Sequence, residues 1–111
     1  MKDNHIPLIG LERFRQHPEH TIYTDDNLAV IDNLSEMMTT DEETVKLDCF
    51  LIAICQEGSL TANINGQQHL LQKDYCALIP PHTILRRTNT PSDTYTIKIV
   101  AFSPSFLSET L

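Results

Sequence analysis

Residues 48–107 read DCFLIAICQEGSLTANINGQQHLLQKDYCALIPPHTILRRTNTPSDTYTIKIVAFSPSFL, and this run sets the architecture of the chain. Apolar and polar residues alternate in short stretches, as β-strands do when their two faces meet different environments. Turn-forming residues separate the stretches at Glu57-Gly58, Asn65-Gly66, Lys73-Asp74 and Pro80-Pro81-His82. Short strands at regular spacing predict a mainly all-β fold, an antiparallel barrel or jelly roll.

Two neighbouring segments give the clearest strand predictions. Residues 50–55 are apolar on both faces, which predicts a central strand covered on both sides. We expect Glu57-Gly58 to turn the chain after it. Asn65-Gly66 tolerates the positive φ angles of a type I′ turn, so it predicts a tight hairpin that pairs Leu60–Ile64 with Gln67–Leu71.

The remaining segments divide the chain into three parts. Residues 1–24 predict a short N-terminal helix or arm, and residues 25–103 the barrel, with further strands at Leu28–Ile31, Tyr75–Ile79, Ile84–Arg87 and Tyr95–Phe102. Ser35–Thr44 predicts a solvated loop, or alternatively a methionine-rich lid. Residues 104–111 predict the start of a C-terminal helix, because Ser103 suits the N-cap and Pro104 the first helical position.

Composition narrows the class of protein. The chain has 111 residues and a formal net charge of −7. Because binding to double-stranded nucleic acid requires a basic surface, we do not expect this chain to bind DNA or RNA by itself. No apolar run reaches the roughly 20 residues of a membrane span. Cys49, Cys55 and Cys76 lack CxxC spacing, which favours reduced thiols in a cytoplasm, and all three are expected to be small buried hydrophobes.

The order of these segments resembles the cupin-like sensor domain at the N-terminus of AraC-type, bacterial-type transcriptional regulators. The resemblance covers residues 25–111 and rests on motifs in sequence order: the strand from Asp48 to Gly58, the Asn65-Gly66 hairpin, Asp74 before the strand closed by Ile79-Pro80-Pro81-His82, and the exit from Ala101 to Leu107. It implies a cupin-like double-stranded β-helix, or jelly-roll barrel, that serves as a regulatory ligand-sensing domain.

The same resemblance implies partners for the chain. A small-molecule effector would bind the barrel, helices after it would support a homodimer, and DNA would be bound only by a C-terminal domain that this sequence does not contain. We therefore expect the reading frame to continue past Leu111 into a basic, helical segment.

Catalytic chemistry has little support in the sequence. Many cupin enzymes hold a metal with a His-x-His pair, but residues after Gly58 contain no such pair, and His69 and His82 stand far apart. We predict no catalytic residues, no metal and no cofactor. A small free-standing cupin enzyme, such as an isomerase or dioxygenase, and a barrel that only mediates protein contacts are the alternatives.

A ligand site is predicted around the segment after Pro80-Pro81. In an extended chain His82, Ile84 and Arg86 share one face, which would suit an anionic or sugar-like ligand at the barrel mouth. Tyr75 and Tyr95 each start a strand and could line the same mouth. The alternative is that the arginines only neutralise nearby acids and that the tyrosines plug the barrel.

Overall fold

The strands of the computed structural model form one curled sheet, a half-barrel. The structure describes residues 6–14, 21–34, 44–88 and 95–110. In chain order the elements are β1 (Leu8–Ile9), α1 (Leu11–Phe14), β2 (Thr21–Thr24), β3 (Leu28–Leu34), β4 (Thr44–Leu47), β5 (Phe50–Ile64), β6 (Gln67–Gln72), β7 (Cys76–Ile79), β8 (Ile84–Arg87), β9 (Tyr95–Phe102) and α2 (Pro104–Thr110).

The sheet has two halves that share β5. In half A, β1, β4 and β8 follow one another and β8 pairs with the C-terminal part of β5, which also pairs with β6. In half B, β2, β3 and β9 follow one another and β9 pairs with the N-terminal part of β5, which also pairs with β7. The mainly all-β prediction is confirmed.

β5 is one strand of 15 residues, so the predicted turn at Glu57-Gly58 is wrong. The pairing with β9 instead shifts register between Cys55 and Glu57, which leaves Gln56 as the extra residue of a β-bulge. Gly58 has a φ of 71°, a left-handed conformation that glycine adopts without a side-chain clash. The bulge bends β5 and allows it to belong to both halves of the sheet.

The bulge also changes which residues of β5 face the core. Before it, Leu51, Ala53 and Cys55 are buried, all at odd positions. After it, Leu60 at an even position is buried. Successive side chains of a strand point to opposite faces, so one extra residue exchanges the two faces.

The hairpin at Asn65-Gly66 is confirmed in position and register. Leu60 pairs with Leu71 and Ile64 with Gln67, and both turn residues have positive φ, 50° for Asn65 and 89° for Gly66. The structure adds a tertiary contact, since the side-chain oxygen of Asn65 accepts a hydrogen bond of 2.9 Å from the backbone N–H of Ile84. The turn is thereby fixed to the start of β8.

The N-terminal segment contributes strands that the sequence did not predict. α1 is a single turn, and its Phe14 is buried in the core. β1 pairs in parallel with β4, and β2 adds to half B beside β3. Most of the predicted loop Ser35–Thr44 lies outside the described residues, and Thr44 begins β4.

The predicted C-terminal helix start is confirmed, together with its cap. Ser103 accepts a hydrogen bond of 3.1 Å at Oγ from the backbone N–H of Phe106, and its own hydroxyl donates to Oδ1 of Asn27 at 3.0 Å. The ring of Phe106 packs on Phe102, which stacks on Phe50 with centroids 5.1 Å apart. α2 is therefore attached to the outer face of half B.

Candidate ligand cavity

A cavity of about 270 Å³ opens between the two halves of the sheet. Strands β5 to β9 all contribute residues to its wall. β5 belongs to both halves of the sheet, and its inward side chains line the cavity in each half. The cavity is lined by Leu51, Ala53, Leu60, Ala62, Ile64, His69, Leu70, Leu71, Tyr75, Cys76, Ala77, Ile79, Leu85 and Ile99.

The bulge of β5 decides the chemistry of this wall. Ala62 and Ile64 line the cavity, whereas their neighbours Thr61 and Asn63 do not. Had β5 kept a regular alternation from Leu51 and Ala53 onward, Thr61 and Asn63 would face inward. The extra residue thus produces an apolar wall in half A.

Polar side chains of the wall lie where it meets solvent. His69, Tyr75 and Cys76 line the cavity and are exposed, Tyr75 to 65%. Tyr75 and Cys76 follow the Lys73-Asp74 turn, in which the N–H of Tyr75 donates to the carbonyl of Gln72 at 3.0 Å. The cavity therefore combines an apolar interior with a small polar rim.

The structure brings one of the five predicted site residues, Tyr75, to this cavity. Leu85 lines the cavity, and adjacent residues of a strand point to opposite faces, so Ile84 and Arg86 face away from it. His82 lies in the turn before β8 with a φ of 73°, and therefore does not belong to the extended segment assumed from the sequence. A site on the outer face around Arg86 stays a prediction.

Tyr95 takes a different position from Tyr75. It is 7% exposed and belongs to the hydrophobic core, where it pairs with Gly58 at the bulge. Its location fits the alternative of an aromatic residue that fills the barrel.

The predicted site consists mainly of polar and aromatic residues, so it does not include the apolar residues that form most of the cavity wall. Alternation groups Ala77 with Ile79 and separates Leu85 from its neighbours, but β7 and β8 carry apolar residues on both faces, so no signal in the sequence shows which face lines the cavity. Alternation does not reveal the contributions of His69 and Leu70, which are adjacent in β6 and both reach the cavity.

The cysteines differ in exposure, so the prediction that all three are buried is wrong for Cys76. Cys49 and Cys55 are buried, and Cys76 is exposed. Burial raises the pKa of Cys49 to about 11, with a smaller contribution from Asp48. Burial also raises the pKa of Cys55, whose thiol donates to the carbonyl of Glu57 at 3.3 Å within the bulge.

We expect iodoacetamide to modify Cys76 much faster than Cys49 or Cys55 at a pH of about 8, because the thiolate is the reacting form. Modification of Cys49 should accelerate only as the pH approaches about 11. Mass spectrometry of labelled peptides measures the three rates. Cys76→Ser is the control and should lack the fast phase. Equal rates for all three thiols in the folded protein would contradict the assignment.

Among the described residues, no group of three or more His, Cys, Asp or Glu side chains is placed to hold a metal ion. Within the same residues, no helix combines the length and apolar composition needed to span a membrane.

Comparison with known proteins is consistent with this geometry. A family model described as the AraC-like ligand binding domain matches residues 46–111. No curated protein matches the chain in sequence.

Solved structures share the fold at low sequence identity. A cupin 2 conserved barrel domain protein from Leptotrichia buccalis matches with a TM-score of 0.58 at 10% identity, over 75% of this chain and 39% of that chain. The Clostridium difficile EutQ protein matches with a TM-score of 0.56 at 13% identity, over 75% of this chain and 64% of that chain. A cupin superfamily protein from Desulfitobacterium hafniense matches with a TM-score of 0.59 at 13% identity, over 75% of this chain and 73% of that chain. The chain thus spans less than two thirds of the first two, and the likeness shows a cupin fold.

Proposed function

Because this chain belongs to the family of AraC-like ligand-binding domains, we propose that it senses a small-molecule effector in the cavity between the sheet halves. The observation that carries this proposal is the cavity itself, which is formed by five strands and has an apolar interior with a polar rim. Binding sites for small molecules commonly combine these features. The proposed role is regulatory and non-catalytic.

The path from the cavity to the C-terminal helix supports a role in signalling. Ile99 lines the cavity, and three residues later in the same strand Phe102 packs against Phe106 of α2. Ser103 joins the strand to the helix and is bonded to Asn27 in half B. A ligand that shifts β9 would therefore alter the position of α2. This requires two conformations of the protein, which differ in the position of β9, and a ligand that binds one of them more tightly than the other.

The wider role is proposed from the family. α2 would lead towards a DNA-binding segment beyond this chain, and helices of that region would support a homodimer. The three free cysteines fit a reducing compartment, so we place the regulator in the cytoplasm. The coding sequence tests this part directly: we expect it to continue beyond Leu111 into a basic helical segment, and a stop codon at that point would contradict the proposal.

A ligand screen tests the sensing role. We expect at least one class of small metabolite to raise the melting temperature of the purified protein in a saturable manner. A ligand present at 100 times its Kd stabilises the folded state by about 2.7 kcal/mol, which corresponds to a shift of roughly 10 °C for a domain of this size. Differential scanning fluorimetry measures the shift.

Variants locate the binding. Ala77→Leu fills part of the cavity and should remove the shift, whereas Arg86→Ala changes the outer face of β8 and should leave it intact. A shift that is lost in Arg86→Ala and kept in Ala77→Leu would move the site to the outer face. Catalytic turnover of a bound compound would favour the enzyme alternative, and no saturable shift with any compound would contradict ligand sensing.

A further inference from the structure

The wall of the cavity also indicates the class of effector. We propose that the cavity binds a small apolar molecule, about the size of a monocyclic aromatic with a short substituent, in preference to a sugar or a carboxylate. This inference rests on the proposed sensing function and concerns the same cavity.

The composition of the wall is the first support. Among the side chains that the structure describes, 14 line the cavity; eleven of these are leucine, isoleucine or alanine, and none is Asp, Glu, Lys or Arg. The other three, His69, Tyr75 and Cys76, lie at the exposed rim. Among the described residues, the buried side-chain polar atom without a hydrogen-bond partner is Oε1 of Gln56, which does not line the cavity.

A polar ligand would lose hydrogen bonds to water in this cavity and would form few new ones with its apolar wall. A hydroxyl that leaves water without a new partner lowers affinity by roughly ten- to a hundredfold. A sugar carries several hydroxyls, and the rim can bond only those that remain at the mouth. A carboxylate loses still more unless a cation or several donors meet it. An apolar ligand instead gains from removing its own surface and the leucine-rich wall from water.

The size of the cavity limits the ligand. A cavity of about 150 Å³ lined by apolar side chains can hold benzene, and this one measures about 270 Å³. A ring with one short substituent therefore fits. A single polar group on that substituent would meet the hydroxyl of Tyr75 or the ring of His69 at the rim.

A matched set of probes tests the class. Ethylbenzene and benzoate share the ring and differ in the substituent, and ribose represents the sugars. We expect isothermal titration calorimetry to show ethylbenzene binding at least about tenfold more tightly than either polar probe, and ethylbenzene alone to raise the melting temperature. Ala77→Leu should abolish this binding. Leu78→Ala changes the exposed opposite face of β7 and is the control that should retain it.

The outcomes separate this inference from the proposed function. Benzoate or ribose binding more tightly than ethylbenzene, and lost in Ala77→Leu, would overturn the apolar class and leave sensing in place. Arg87 pairs with Ala62 in the sheet register, so loss of benzoate binding in Arg87→Met would assign an anion site to this part of β8. Ethylbenzene binding that survives Ala77→Leu would overturn the inference, and absence of binding by every probe and metabolite would overturn both proposals.

Discussion

Replacing Ile97 by alanine should lower the free energy of unfolding by about 2–5 kcal/mol, enough to remove much of the stability of a small domain. Ile97 is fully buried. It lies in β9, between β5 and β3, and pairs with Cys55 beside the bulge. Strands on both sides restrict collapse of the backbone, so most of the cavity left by the substitution should persist.

Urea denaturation monitored by circular dichroism measures this change. Val100→Ala is the matched control, because Val100 lies in the same strand and is half-buried on the opposite face. We expect the control to lose about 1 kcal/mol or less, since only part of its side chain leaves water on folding. Equal losses for the two variants would contradict the assignment of the inner and outer faces of β9.

Replacing Gly58 by valine should cost about 1–3 kcal/mol, because Gly58 has a φ of 71° and a β-branched residue is strained in that region. The strain falls on the bulge that bends β5 between the two halves of the sheet. Its loss would turn Thr61 and Asn63 toward the core in place of Ala62 and Ile64. We therefore expect ligand binding in the cavity to weaken together with stability.

Gly58→Asn provides the control, because asparagine tolerates the left-handed conformation better than other residues with side chains. It should retain most of the stability and the binding of the wild-type protein. Chemical denaturation and ligand titration of both variants give the comparison. A valine variant as stable as the asparagine variant would show that the bulge does not depend on the conformation of residue 58.

Local sequence patterns were sufficient where a short segment determines its own structure. The Asn65-Gly66 turn was predicted with its register because both residues accept positive φ and the flanking residues alternate. Ile84–Arg87 and Tyr95–Phe102 have the predicted bounds, and the cap at Ser103 forms as expected. These features depend on residues that lie near one another in the sequence.

Local sequence patterns did not predict the structure of segments whose conformation depends on pairing with strands distant in the sequence. Glu57-Gly58 is compatible with a turn or a bulge, and pairing with β9 on one side and with β6 and β8 further along decides for the bulge. The strands β1 and β2 are too short for alternation to identify, and they form because β4 and β3 offer free edges. The predicted ligand site around Arg86 and the observed cavity lie on opposite faces of β8, because the inward face of that strand also depends on distant strands.

The all-β class, the hairpin, the later strands and the capped helix start follow from local alternation and turn chemistry, and the order of the motifs carries the cupin-like resemblance. Tertiary packing selects the strand faces that enclose the cavity. It placed Leu85 inward and Arg86 outward, and it exchanged the faces of β5 at Gln56. A strand alternates in both possible orientations, and the face that is buried depends on what packs against it.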